Sequence, residues 1–97
     1  MANILITSGG GLWISNLSKL LYPKFNIFLT DSNIINKPTY VKKVFKIPLS
    51  NHKNFYKRLK SICRRNNIEY IIPSSDEEAI FLSKKKNYLK KILKLKF

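Results

Sequence analysis

Asn3-Ile4-Leu5-Ile6-Thr7-Ser8-Gly9-Gly10-Gly11 is the stretch whose reading decides the fold. An unbroken apolar run, Ile4 to Ile6, stops in three consecutive glycines, the only ones in the chain. Continuous apolar character without alternation marks a strand covered on both faces, as in a parallel sheet. After the glycines, Leu12, Ile14, Leu17, Leu20 and Leu21 recur at mostly helical spacing, with Trp13 beside them. Pro23 ends that helix near Tyr22, because a proline ring disfavours helical geometry in the preceding residue. A strand emptying through a glycine turn into an amphipathic helix is how α/β proteins build pockets for phosphates and small ligands.

The same grammar repeats downstream. Asn26 to Thr30 is a second continuous apolar strand, ending at Asp31-Ser32-Asn33. Residues 33–43 show no strong period, and Pro38 argues against a long helix, so a loop with one turn around Thr39 to Lys43 is expected. Val44 to Ile47 reads as a short third strand. The charge of Lys46 between apolar neighbours, then Pro48, suits an edge position. Ser50 or Asn51 caps a helix that runs to about Asn67, on which Phe55, Leu59, Ile62 and Cys63 make an apolar stripe. Arg64 and Arg65 complement the negative end of its dipole. Cys63 lies on the stripe and reads as a packed, inert thiol. His52 has no second His or nearby Cys, and no role falls to it. Glu69 to Pro73 is a fourth strand, ending in Ser74-Ser75-Asp76-Glu77-Glu78. A last helix follows, with Ala79, Leu82, Leu89 and Leu93 on one face, a break near Asn87, and amphipathic character to Phe97.

This alternation predicts an α/β domain, an open and mostly parallel four-stranded sheet flanked by helices. Right-handed crossovers favour strand order 3-2-1-4, with the first strand central and the switch point between strands one and four. At 97 residues the chain is one small domain, spanning 1–97. No apolar run approaches the roughly 20 residues that span a bilayer. The opening apolar run is too short for a signal peptide, so a cytoplasmic protein with no membrane partner is expected. A single cysteine excludes an internal disulfide and a cysteine-based zinc site. The net charge of +14 attracts polyanions without specificity. Arginine, the residue suited to bidentate phosphate and base recognition, occurs only at 58, 64 and 65. The lysines are spread along the chain, which favours a solvated basic surface over a dedicated nucleic-acid site.

Three loops converge at the C-terminal strand ends in such a sheet: Ser8-Gly9-Gly10-Gly11, Asp31-Ser32, and Ser74-Ser75-Asp76-Glu77-Glu78. Glycine amides and a helix N-terminus favour an anion. A tight turn needing positive φ would use one or two glycines, so three favour a turn that faces a ligand. Gly9 and Gly11 fit the first two positions of the dinucleotide pattern G-x-G-x-x-G, but Ile14 stands at the third. Asp31 falls where a ribose-binding acid belongs, or else makes an Asx turn. Ser75 and Glu78 fit a capping box, with Ser75 the N-cap. Four of the five acidic residues fall in these loops, which suits a cationic or amine-bearing substrate group. The candidate binding residues are Ser8, Gly9, Gly10, Gly11, Asp31, Ser32, Ser75, Asp76 and Glu77; none is assigned to catalysis or to a metal.

Ile4-Leu5-Ile6-Thr7-Ser8-Gly9-Gly10-Gly11, Thr30-Asp31-Ser32-Asn33, Tyr40-Val41, Ile47-Pro48 and Ile71-Ile72-Pro73-Ser74-Ser75-Asp76-Glu77-Glu78 occur in that order. Up to about residue 90 the chain resembles the pre-ATP-grasp, Rossmann-like N-terminal domain of ATP-grasp ligases, similar to the carbamoyl-phosphate-synthase large-subunit-like members. The resemblance implies the substrate side of a cleft that an ATP-grasp catalytic domain completes. That domain binds Mg-ATP, forms an acyl phosphate and passes the acyl group to an amine. By resemblance, Gly9 to Gly11, Asp31 and Asp76-Glu77 face the shared cleft. The ATP-binding lysines and metal-binding residues of the catalytic domain have no counterpart here. The chain is therefore expected to be a truncated or separately encoded part, inactive alone, with no cofactor of its own. Its expected partners are a small-molecule substrate and an ATP-grasp domain or subunit, or a homodimer mate. The alternatives are a small Rossmann-type nucleotide-binding module and, less favoured, a Lys-rich nucleic-acid-binding protein.

Overall fold

The computed structural model describes residues 2–7, 14–33, 36–37, 39–49, 51–73 and 76–93, with 14–16, 76 and 86–93 as backbone only. In chain order the elements are β1 (Ala2–Ile6), α1 (Ile14–Leu21), β2 (Phe25–Asp31), β3 (Lys43–Lys46), α2 (Phe55–Arg65), β4 (Tyr70–Ile72) and α3 (Asp76–Leu93). The sheet has the order β3-β2-β1-β4, as the crossover argument requires. Each of its three pairings is parallel, so the sheet is wholly parallel.

The continuous apolar runs are explained by two cores, one on each face. Leu5 is in register with Phe28 and Ile71. These three pack with Phe55, Leu59, Ile62 and Cys63 of α2 and Leu82 of α3. The neighbours Ile4 and Ile6 point the other way, joining Ile27, Leu29 and Val41, with Leu17 and Leu21 of α1 against them. Side chains alternate across a strand, so a strand that is apolar at every position must be covered twice. Each fully buried Leu, Ile or Phe contributes about 1.5–3 kcal/mol of transfer free energy. On the α2 side, Phe81 meets Phe55 edge-on at 5.1 Å and Tyr56 at 5.8 Å, which fixes α3 on α2.

Polar groups set the opposite edge. Asn3 Nδ2 donates to the carbonyls of Asn66 and Asn67, at 2.9 and 3.2 Å, tying the end of α2 to β1. Asn3 Oδ1 accepts from Asn26 Nδ2 at 2.9 Å, which links β1 to β2. Asn67 takes φ 52°, the left-handed conformation that ends helices and that asparagine tolerates better than most residues.

Several boundaries differ from the sequence expectation. The second helix begins at Phe55, not near Ser50 or Asn51. Residues 51–54 form turns instead, with His52 N–H donating to Leu49 and Phe55 N–H to His52. Asn54 is the N-cap and makes no side-chain capping bond. Ser50 lies outside the described residues. The last helix runs through Asn87 without the expected break. Leu20, placed on the α1 stripe by spacing, is 80% exposed; the half-buried Leu17 and Leu21 pack on the sheet there. The final residues 94–97 lie outside the described residues.

Cys63 is buried on its stripe, and burial pushes its thiol from an ordinary value of 9.0 up to about 12. The folded state therefore holds a proton that the unfolded chain releases as pH rises above 9.0. The thiol's contribution is intact below that pH and is lost between there and about 12. Relative to Cys63→Ala, the wild-type chain should lose up to about 1.4 kcal/mol of stability per pH unit in this window, measured by urea unfolding. Below pH 8 the difference between the two should be flat.

Candidate functional site

A parallel sheet puts all its C-terminal strand ends on one edge. Here that edge carries Ile6, Asp31, Lys46 and Ile72. Two backbone bonds extend the ladders beyond the strands: Thr7 N–H to the Ile72 carbonyl at 3.1 Å, and Ile47 N–H to the Asp31 carbonyl at 2.9 Å. The chain is thus held rigidly up to the point where the loops leave it. Thr7 and Thr30, the residues at the ends of β1 and β2, are completely buried.

One opening on this edge is a cleft of about 570 Å3 between the ends of β2 and β3 and the turns before α2. From β2 come Ser32 and Asn33; from β3 and the turn after it come Lys46, Ile47, Pro48 and Leu49. Asn51 and His52 close it on the α2 side. Asn51 also lines a second depression of about 330 Å3, which Glu77, Ile80, Phe81 and Lys84 of α3 complete. The two openings therefore adjoin, and together they run from the end of β2 to the first turns of α3.

Local chemistry fixes the walls. Asp31 Oδ1 accepts the Asn33 backbone N–H at 2.9 Å, an Asx turn that folds the post-β2 loop. Arg58 Nε donates to the Lys46 carbonyl at 3.4 Å, tying the end of β3 to α2. His52 Nδ1 accepts the Asn54 N–H at 3.0 Å, so in the neutral ring the proton sits on Nε2, which is then a donor. Among the described residues, Lys46 and His52 are the titratable groups lining the larger cleft, and no carboxylate lines it. The smaller one has one group of each sign, Glu77 and Lys84.

Of the candidate residues from sequence, Ser8, Gly9, Gly10, Gly11 and Ser75 lie outside the described residues, and Asp76 is described only as the first residue of α3. Asp31 and Ser32 stand at the end of β2 as expected, and Ser32 lines the larger cleft. Glu77 is exposed and lines the smaller one. Glu78 is buried, at 6% exposure. Sequence reasoning passed over Asn33, Lys46, Asn51 and His52. Lys46 reads in the sequence only as a charge within an edge strand ending at Ile47; the structure ends β3 at Lys46 itself. His52 carried no comparable signal, because its placement comes from the turns that delay α2.

Among the described residues, no group of three or more His, Cys, Asp and Glu could hold a metal ion. Nor is any helix among them long and apolar enough to cross a membrane. No protein-family model matches the chain. No curated protein matches it by sequence. The fold is Rossmann-like in its parallel 3-2-1-4 order, and the fold alone leaves the chemistry to the site.

The Asx turn separates two roles for Asp31. Asp31→Ala should cost about 0.5–1 kcal/mol of stability, the net worth of one side-chain hydrogen bond. Asp31→Asn keeps an accepting oxygen and should cost less than half of that. Equal losses in both variants, by urea unfolding, would show that the charge and not the turn matters there.

Proposed function

We propose that this domain is the N-terminal, substrate-side domain of an ATP-grasp carboxylate–amine ligase of the carbamoyl-phosphate-synthase large-subunit-like kind. The observation that supports the reading best is the parallel 3-2-1-4 sheet. With that order, the post-β2 loop at Asp31-Ser32 and the start of α3 at Asp76-Glu77 belong to one edge, and the sequence motifs of the resemblance lie in those loops. In this reading Glu77, exposed in the smaller depression, attracts the amine. The glycine turn Gly9 to Gly11 supplies backbone amides to the substrate, a role proposed from sequence. Mg-ATP, held by the ATP-grasp catalytic domain, supplies the phosphoryl group that activates the carboxylate. The residues of this chain bind and orient substrate and exclude water from the cleft's sheet-side wall.

The purified 97-residue chain should show no Mg-dependent ATP hydrolysis. Joined to or mixed with an ATP-grasp catalytic domain encoded beside it, it should support amine-dependent ADP release. Glu77→Ala should raise the KM for the amine about threefold to tenfold, the range for losing one exposed charge contact. ATP turnover by the chain alone, or an amine KM indifferent to Glu77→Ala, would contradict the reading.

A further inference from the structure

The acid-bearing loops suit an amine, yet the larger cleft beside them is lined by Lys46 and His52. We infer that this cleft binds a small carboxylic acid with a short apolar chain, its carboxylate at Lys46 and His52 and its chain against Ile47, Pro48 and Leu49. Four observations carry this. The cleft's volume of about 570 Å3 falls within the range of small-molecule sites, which is roughly 300–1,000 Å3. It opens at the C-terminal edge of the parallel sheet, beyond the ends of β2 and β3. Among the described residues its lining holds Lys46 and His52 and no carboxylate, and Asp31, next to Ser32 in sequence, turns an oxygen to its own loop at Asn33. Its wall holds Leu49, a large apolar side chain left 59% exposed, next to buried Ile47.

The donors also select among anions. One lysine ammonium and one imidazole N–H, with the Asn33 and Asn51 amides, match the two oxygens of a carboxylate. A phosphate site of this size would call for an arginine fork or a backbone cradle, and neither Arg58, Arg64 nor Arg65 lines the cleft. The role of acyl donor for this acid rests on the ligase reading; the preference for a carboxylate does not.

Hexanoate titrated into the full chain at low salt should shift the backbone amide NMR signals of Ile47, Leu49 and His52 saturably. Hexylammonium, with the same chain and the opposite charge, should not. Lys46→Ala should weaken hexanoate about threefold to tenfold. Lys57→Ala removes the same charge from an exposed position on α2 outside the cleft and should leave hexanoate binding unchanged. Both lysines are exposed, so both variants should keep the wild-type spectrum elsewhere. Equal weakening by the two variants would reduce the effect to net charge and overturn the assignment. So would shifts with hexylammonium at these residues, no saturation with hexanoate, or saturation with inorganic phosphate alone. No ATP or partner enters this titration, so its failure is distinguishable from failure of the ligase reading.

Discussion

Leu5 and Ile6, adjacent in sequence and both completely buried, face opposite hydrophobic layers. That constraint governs the rest. A strand with both faces apolar is stable only if helices cover each side and strands flank each edge. The chain meets the demand with α1 on one face, α2 and α3 on the other, and β2 and β4 on either side. Parallel pairing follows from the crossovers that place those helices. Parallel pairing in turn gathers the strand ends, and the loops that leave them, at one edge. The position of the clefts is thus a consequence of how β1 is buried.

Charge is the main force working against this arrangement. A net +14 on 97 residues makes the folded surface repel itself. Part of that cost is offset where ammonium groups lie over aromatic faces: Lys43 over Phe45 at 5.2 Å, and Lys60 and Lys85 over Tyr56 at 4.8 and 5.3 Å. Such contacts are worth about 0.5–1 kcal/mol each at exposed sites. The two neighbouring openings differ in lining: Lys46 and His52 line one, whereas Glu77 and Lys84 line the other.

The architecture was legible in the sequence because it rests on long-range physics that leaves a local trace. Ile4 to Ile6, Ile27 to Leu29 and Ile71-Ile72 are apolar at each position, and doubly covered strands have no other pattern. The stripe of Phe55, Leu59, Ile62 and Cys63 was equally plain, and all four are buried. What misled was local. Ser50 and Asn51 look like caps, but the turns at Leu49 and His52 hold residues 51–54 out of the helix. Asn87 looks like a breaker, but one asparagine costs a helix little. Leu20 sits at helical spacing, yet among the described side chains of α1 the apolar ones packed against the sheet are Leu17 and Leu21. The site was legible in part. Asp31, Ser32 and Glu77 belong to strand-end loops that motif and topology both indicate. Asn51 and His52 owe their placement to the turns between Leu49 and Phe55, which no short motif encodes.

Hydrogen exchange tests the central place of β1 most directly, because a strand paired on both sides and covered on both faces opens only when the domain unfolds. The amides of Leu5 and Ile6, with those of Phe28 and Leu29, should exchange slowest in the chain, at rates set by the global unfolding free energy. Those of Val44 and Phe45 in the edge strand β3 should exchange at least about tenfold faster, by local fraying. If β1 exchanged as fast as β3, or α3 outlasted both, the sheet would not be organised around β1. The convergence of its loops on one edge would then lose its physical basis.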